Sequence, residues 1–178
     1  MPQAITHILA PIVILALIRN YCIQKKKPFS LRYVVLAGLG GALPDIDHLA
    51  FILLYKTGIP LDHIHRTFTH SIFFPLIFLV AGLVIAHTPW NTSTFHKLKI
   101  SLVCYALTFG ILTHLALDYL IVGTIMPFYP LSNLQIGLDL INLLPPPINL
   151  TIIPLIEGII LVLWLIHLEF KNKLQNAI

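Results

Sequence analysis

The sequence predicts an all-α membrane fold, a polytopic bundle of about five segments forming one integral domain over residues 1–178. Three observations predict it. Of the residues, 57% are hydrophobic and 10% charged, against about 45–50% and about 25% in soluble domains. The apolar residues collect into five runs, roughly 4–18, 31–55, 71–88, 98–122 and 152–168, and a spanning helix needs about 20 apolar residues. When these runs are threaded alternately through a bilayer, the basic residues sort to one side.

The first run has no basic residue before it, and no small-x-small cleavage site follows before Arg19. It reads as an uncleaved helix rather than a signal peptide. The second contains Gly38, Gly40, Gly41 and Pro44. Proline lacks an N–H and disfavours helix in the residue before it, so a break or a re-entrant turn is expected there. The third and fourth runs are long enough to span, whereas the fifth is slightly short, as is the first. Between the fourth and fifth, Gly123–Thr151 carries one charge, Asp139, amid Leu, Ile and Pro. Such a segment is expected to lie on the bilayer or fold over the helix ends, with Ile136–Leu144 as a short interfacial helix. Pro145-Pro146-Pro147 is a stiff break. Cys22 and Cys104 have no metal-ligand spacing and read as unpaired, apolar-type cysteines.

Orientation follows from lysine and arginine. With the N-terminus outside, Arg19, Lys25, Lys26, Lys27, Arg32, Lys97, Lys99, Lys171 and Lys173 fall inside, and only Lys56 and Arg66 fall outside. The expectation is therefore a multi-pass membrane protein, N-terminus extracytoplasmic and C-terminus cytoplasmic. The net charge of +4 sets topology and does not indicate nucleic acid. The expected partner is the lipid bilayer, together with a lipid substrate; the oligomeric state is not legible.

The polar residues gather on the outer side. Asp45, Asp47 and His48 lie in "LPDIDH" near the outer end of the second run, and "DHIHRTFTHS" (Asp62–Ser71) leads into the third. His114 and Asp118 are four apart in the fourth run and so share a helix face. His7 stands near the outer end of the first. Intramembrane charges are costly unless they face a cavity or a partner. Arg66 alone cannot neutralise Asp45, Asp47 and Asp118, so a bound divalent metal is the economical reading. Histidine with aspartate, without thiolate, suits zinc, manganese or iron, and the number of ligands allows two ions.

"LPDIDH" (Leu43–His48), "HRTFTHS" (His65–Ser71) and the run from His114 to Phe128, after Thr6-His7, resemble the YdjM-like family of inner-membrane metal-dependent hydrolases. Carried over by position, the resemblance implies His7, Asp45, Asp47, His48, His65, His70, His114 and Asp118 as metal residues. Two positions depart from the family pattern. Thr67 stands where a glycine usually follows His-Arg, and Pro11 stands where a glycine usually follows the first histidine by a turn.

These readings converge on hydrolysis of a phosphoester in a lipid or other amphiphile. Metal would bring water's pKa toward about 7, Asp47 or Asp118 would accept the proton, and Arg66 would hold an anionic oxygen. Two alternatives are a noncatalytic metal-binding membrane scaffold and a metal or proton transporter. A transporter needs polar residues through to the inner face, where this sequence is almost purely apolar.

Overall fold

A computed structural model describes residues 4–23, 29–48, 52, 66–88, 94–95, 98–121 and 123–176. Helix α1 (Ala4–Leu17) runs into a π-helical turn (Ile18–Cys22), and α2 spans Leu31–Ala42. A 3-10 turn (Phe68–His70) precedes α3 (Phe73–His87). A small hairpin, β1 (Thr94–Phe95) and β2 (Leu98–Lys99), leads to α4 (Ile100–Ile121). A second 3-10 turn (Leu140–Leu143) precedes α5 (Ile148–Asn176).

The helices Ile5–Cys22, Ile100–Ile121 and Ile148–Ile166 are long and apolar enough to cross a membrane; α2 and α3 are shorter apolar helices. The 31–55 run is interrupted where Pro44 stands. Helix α2 begins under Ser30, whose side chain accepts the Arg32 N–H, and stops at Ala42. A tighter turn follows, in which the N–H groups of Ile46, Asp47 and His48 reach the carbonyls of Leu43, Pro44 and Asp45. Pro44 cannot donate to the helix ladder, so the chain turns there and presents Asp45, Asp47 and His48 at the end of α2.

Small residues let three helices approach backbone to backbone. A Cβ at Gly41 would strike the His7 carbonyl and the Pro11 ring, and one at Gly110 would strike the Ala37 carbonyl. The buried Pro11 thus packs against α2 where α2 lacks side-chain bulk. Both contacts bring the start of α1 and the last turns of α4 to the end of α2. Gly110→Ala is expected to lower stability by about 1–3 kcal/mol, the usual cost of overpacking. Gly158→Ala should be neutral, since a Cβ there meets nothing within 4 Å. Thermal unfolding of the solubilised protein checks this; equal midpoints for Gly110→Ala and wild type would contradict the packing.

The apolar segment after α4 is tied to the helix ends. Ile72 N–H donates to the Pro127 carbonyl (2.9 Å), and Leu138 N–H donates to the Tyr119 carbonyl (2.7 Å). Ile125 and Ile136 pair across it as an isolated bridge. The expected interfacial helix over Ile136–Leu144 is only the 3-10 turn Leu140–Leu143, because Asp139 adopts a left-handed backbone (φ 47°) that interrupts a helix. Asp139 is a staple: its carboxylate accepts the Gly123 N–H and the Asn142 amide, each at 2.7 Å. The Gly123 N–H, then the Asn142 amide, hold its carboxyl below the usual carboxylate range.

Candidate metal centre

The turn after α2, the 3-10 turn Phe68–His70 and the last two turns of α4 bring their polar side chains together, with His7 of α1 against them. His70, His114, Asp118, Asp47 and His7 are all buried. His70 Nε2 and His114 Nε2 lie 3.2 Å apart. Asp118 Oδ2 is 3.5 Å from the first and 3.6 Å from the second. Asp45 Oδ1 is 3.7 Å from each. Two triangles therefore share the nitrogen–nitrogen edge. Ligands on a tetrahedral ion with bonds of about 2.0–2.1 Å are about 3.3–3.4 Å apart. Each triangle matches one face of such a tetrahedron and leaves the fourth corner to water or substrate.

The hydrogen bonds behind the rings fix where the lone pairs point. His114 Nδ1 is 2.7 Å from the Gly41 carbonyl oxygen. A carbonyl only accepts, so Nδ1 carries the proton and Nε2 carries the lone pair. His70 Nδ1 faces Asp47 Oδ2 at 3.3 Å, and the Thr69 hydroxyl lies 3.1 Å from the same nitrogen. A carboxylate behind a histidine sets its tautomer and its orientation toward a metal. With both Nδ1 protonated, two lone pairs meet at 3.2 Å, an arrangement that a cation between them relieves. Two imidazoles and two carboxylates make a donor set suited to a zinc-type divalent ion, so the residues present fit the metal that the sequence implies.

Asp47 is placed behind His70. Its Oδ2 accepts the Thr69 hydroxyl at 2.9 Å and the Arg66 backbone N–H at 3.2 Å, and its Oδ1 is 3.3 Å from His48 Nδ1. Arg66 reaches this carboxylate from a left-handed backbone (φ 61°). Its guanidinium lies 3.9 Å from Asp118 Oδ2 and donates to the Thr124 carbonyl at 3.3 Å. The close approach requires glycine at position 123, where a Cβ would collide with the guanidinium. Arg66 thus links the cluster to the apolar segment.

His7 occupies the far side of Asp118. Its Nε2 is 3.4 Å from Asp118 Oδ1, and its ring stacks on His114 at 3.8 Å between centroids. His7, His114 and Asp118 form one group able to hold an ion, Asp45, His70 and His114 a second, and Asp45, Asp47 and His48 a third. Seven of the eight residues carried over by position are therefore brought together. The eighth, His65, lies outside the described residues, as do Asp62, His63, Lys56, Lys97 and Lys25 to Lys27. Access is from one side: the side chains of His48, Asp45 and Arg66 are 38%, 30% and 20% exposed, against 3% for Asp118.

Sequence reasoning missed two parts of the cluster. The Gly41 carbonyl belongs to the backbone, and no side chain announces it. Thr69 gave a signal, a hydroxyl beside His70 inside the same motif. Thr69→Val is expected to lower metal affinity about 10–100-fold, the usual effect of losing a group that supports a ligand. Titration of the metal-free protein measures this; unchanged affinity would remove Thr69 from the cluster's support.

No curated protein and no solved structure matches this chain. A family model does: that of the YdjM inner membrane protein matches residues 1–176, and the chain belongs to that family.

Proposed function

We propose that the protein is a membrane-embedded metal-dependent hydrolase that cleaves a phosphoester of an amphiphile at the extracytoplasmic face. One observation carries the reading. His70 and His114 aim Nε2 at each other across 3.2 Å, with Asp45 and Asp118 on the flanks, so that the two nitrogens with either carboxylate present three ligands to an ion and leave a corner open.

A divalent ion held by His70, His114 and one of Asp118 and Asp45 would supply Lewis acidity and lower the pKa of water. His7 carries the other oxygen of Asp118 and steadies that carboxylate. Asp47 holds His70, and its second oxygen backs His48, which stands at the mouth and takes the proton from the attacking water. This assigns to the Asp47–His48 pair the proton transfer expected of Asp47 or Asp118, because both Asp118 oxygens already have partners. Arg66, at the same mouth, receives an anionic phosphoester oxygen through its planar fork.

The orientation rests on the nine-to-two split of basic residues. Among the described ones, Arg19, Arg32 and Lys99 sit at the helix ends opposite the cluster. Arg19 Nε bonds the Phe29 carbonyl, and Lys99 N–H bonds the Tyr33 hydroxyl. A topology reporter fused after Ile178 is expected to be active only in the cytoplasm; activity only outside would move the site to the other face. Function is tested by incubating metal-loaded protein and a His70→Ala variant with phospholipids, lipid phosphates and peptides. Metal-dependent release of a phosphoester product by wild type alone is expected. Cleavage of peptides alone would sink the substrate class, and no cleavage with metal intact would leave a scaffold.

A further inference from the structure

An apolar cavity of about 290 Å³ lies between the start of α1, the end of α4, the 3-10 turn Leu140–Leu143 and the first turns of α5. Ile121, Ile141, Leu144, Ile153 and Ile156 line it, with Thr6 and Glu157 at its edge. Glu157 is 6% exposed, and Thr6 donates its hydroxyl to that carboxylate. Every other lining residue is Ile or Leu, so beyond this pair the surface has nothing to offer a headgroup or an ion. An aliphatic chain is the ligand whose chemistry matches it.

The cavity borders the metal centre. Thr6 precedes His7, and Ile121 follows Asp118 by three positions on one face of α4. His7 and Asp118 are themselves paired at 3.4 Å. The roof is held from the same centre, because Arg66 bonds the Thr124 carbonyl and Asp139 bonds Gly123 before the turn that covers the cavity. Its size is near the lower end of ligand pockets, about 300–1,000 Å³, which suits a length of chain rather than a whole lipid.

We propose that this cavity seats an aliphatic chain of the substrate while its phosphoester meets the metal centre, an inference that rests on the hydrolase reading above. Lipid tails are as apolar as leucine, so hydrophobic transfer gives the chain little reason to leave the bilayer. Fit to the cavity and attachment to a bound phosphoester must hold it. Occupancy is therefore saturable, unlike contact with bulk lipid. The open groove along α3, lined by Leu76, Val80 and Val84, serves as the internal control.

The test uses the full-length, metal-loaded protein in phosphatidylcholine nanodiscs, with dodecyl phosphate carrying a diazirine in mid-chain. The expected result is saturable labelling near Ile141, Leu144 and Ile153, displaced by unlabelled dodecyl phosphate and not by ethyl phosphate. Ile153→Trp and Leu144→Trp fill the cavity from two sides and should each abolish that labelling, leaving metal content and labelling of α3 unchanged. Labelling that is non-saturable and spread over Val80, Val84 and Leu161, or that survives both tryptophan variants, would overturn the proposal. The hydrolase reading fails separately. Cavity labelling without phosphoester cleavage keeps the chain seat and removes the hydrolase. Equal cleavage of ethyl and dodecyl phosphoesters in wild type and both variants removes the chain seat and keeps the hydrolase.

Discussion

His114→Ala is expected to leave the protein without its metal and to lower kcat/KM for a phosphoester by about 10³-fold. His114 is fully buried and supplies one of the two nitrogens common to both ligand triangles. Metal polarisation is worth several kcal/mol in a transition state, and each 1.36 kcal/mol is a factor of about ten. The substitution also strips the Gly41 carbonyl of its donor and leaves a cavity beside the His7 ring. A fall in thermal stability is therefore expected as well, and metal content must be read on protein that retains its helical circular dichroism. Such protein with wild-type metal content would show that His114 is not a ligand.

Asp47→Ala should have the second largest effect, by a different route. Asp47 Oδ2 gathers the Thr69 hydroxyl, the Arg66 N–H and His70 Nδ1. Removing it leaves buried donors unmet, at about 1–3 kcal/mol each, and frees the His70 ring to rotate. Metal affinity should fall about 10–100-fold, as for other groups that orient a ligand, and turnover should fall further than affinity because His48 loses its carboxylate. The informative readout is activity at saturating metal. Full recovery there would confine Asp47 to metal support and remove it from proton transfer. Asp139→Ala should keep its metal, since that carboxylate holds Gly123 and Asn142, outside the cluster.

Much of this cluster was legible because its residues are expensive where they stand. Aspartates and histidines in apolar runs announce a partner, and the i, i+4 spacing of His114 and Asp118 puts both on one helix face without knowledge of the fold. The break at Pro44 was legible for an equally local reason, a missing N–H. What could not be read was where the supporting groups come from. The Gly41 carbonyl becomes a ligand anchor only because Gly41 and Gly110 allow α1, α2 and α4 to touch, a consequence of tertiary packing. Division of labour among the aspartates was hidden too. Asp45 and Asp47 are two apart on one turn, yet the first faces the nitrogen pair and the second lies behind His70. Ile136–Leu144 has helical composition, but the Asp139 staple holds all but its last turn and a half away from helix.

The central claim is that His70, His114, Asp45 and Asp118 hold a metal ion. Elemental analysis of the protein purified without chelators, alongside a His70→Ala, His114→Ala double variant, tests it most directly. The account predicts at least one equivalent of a divalent transition metal in the wild type and its loss in the folded double variant. A folded wild-type protein with no bound metal, or a double variant that retains the full complement, would contradict it.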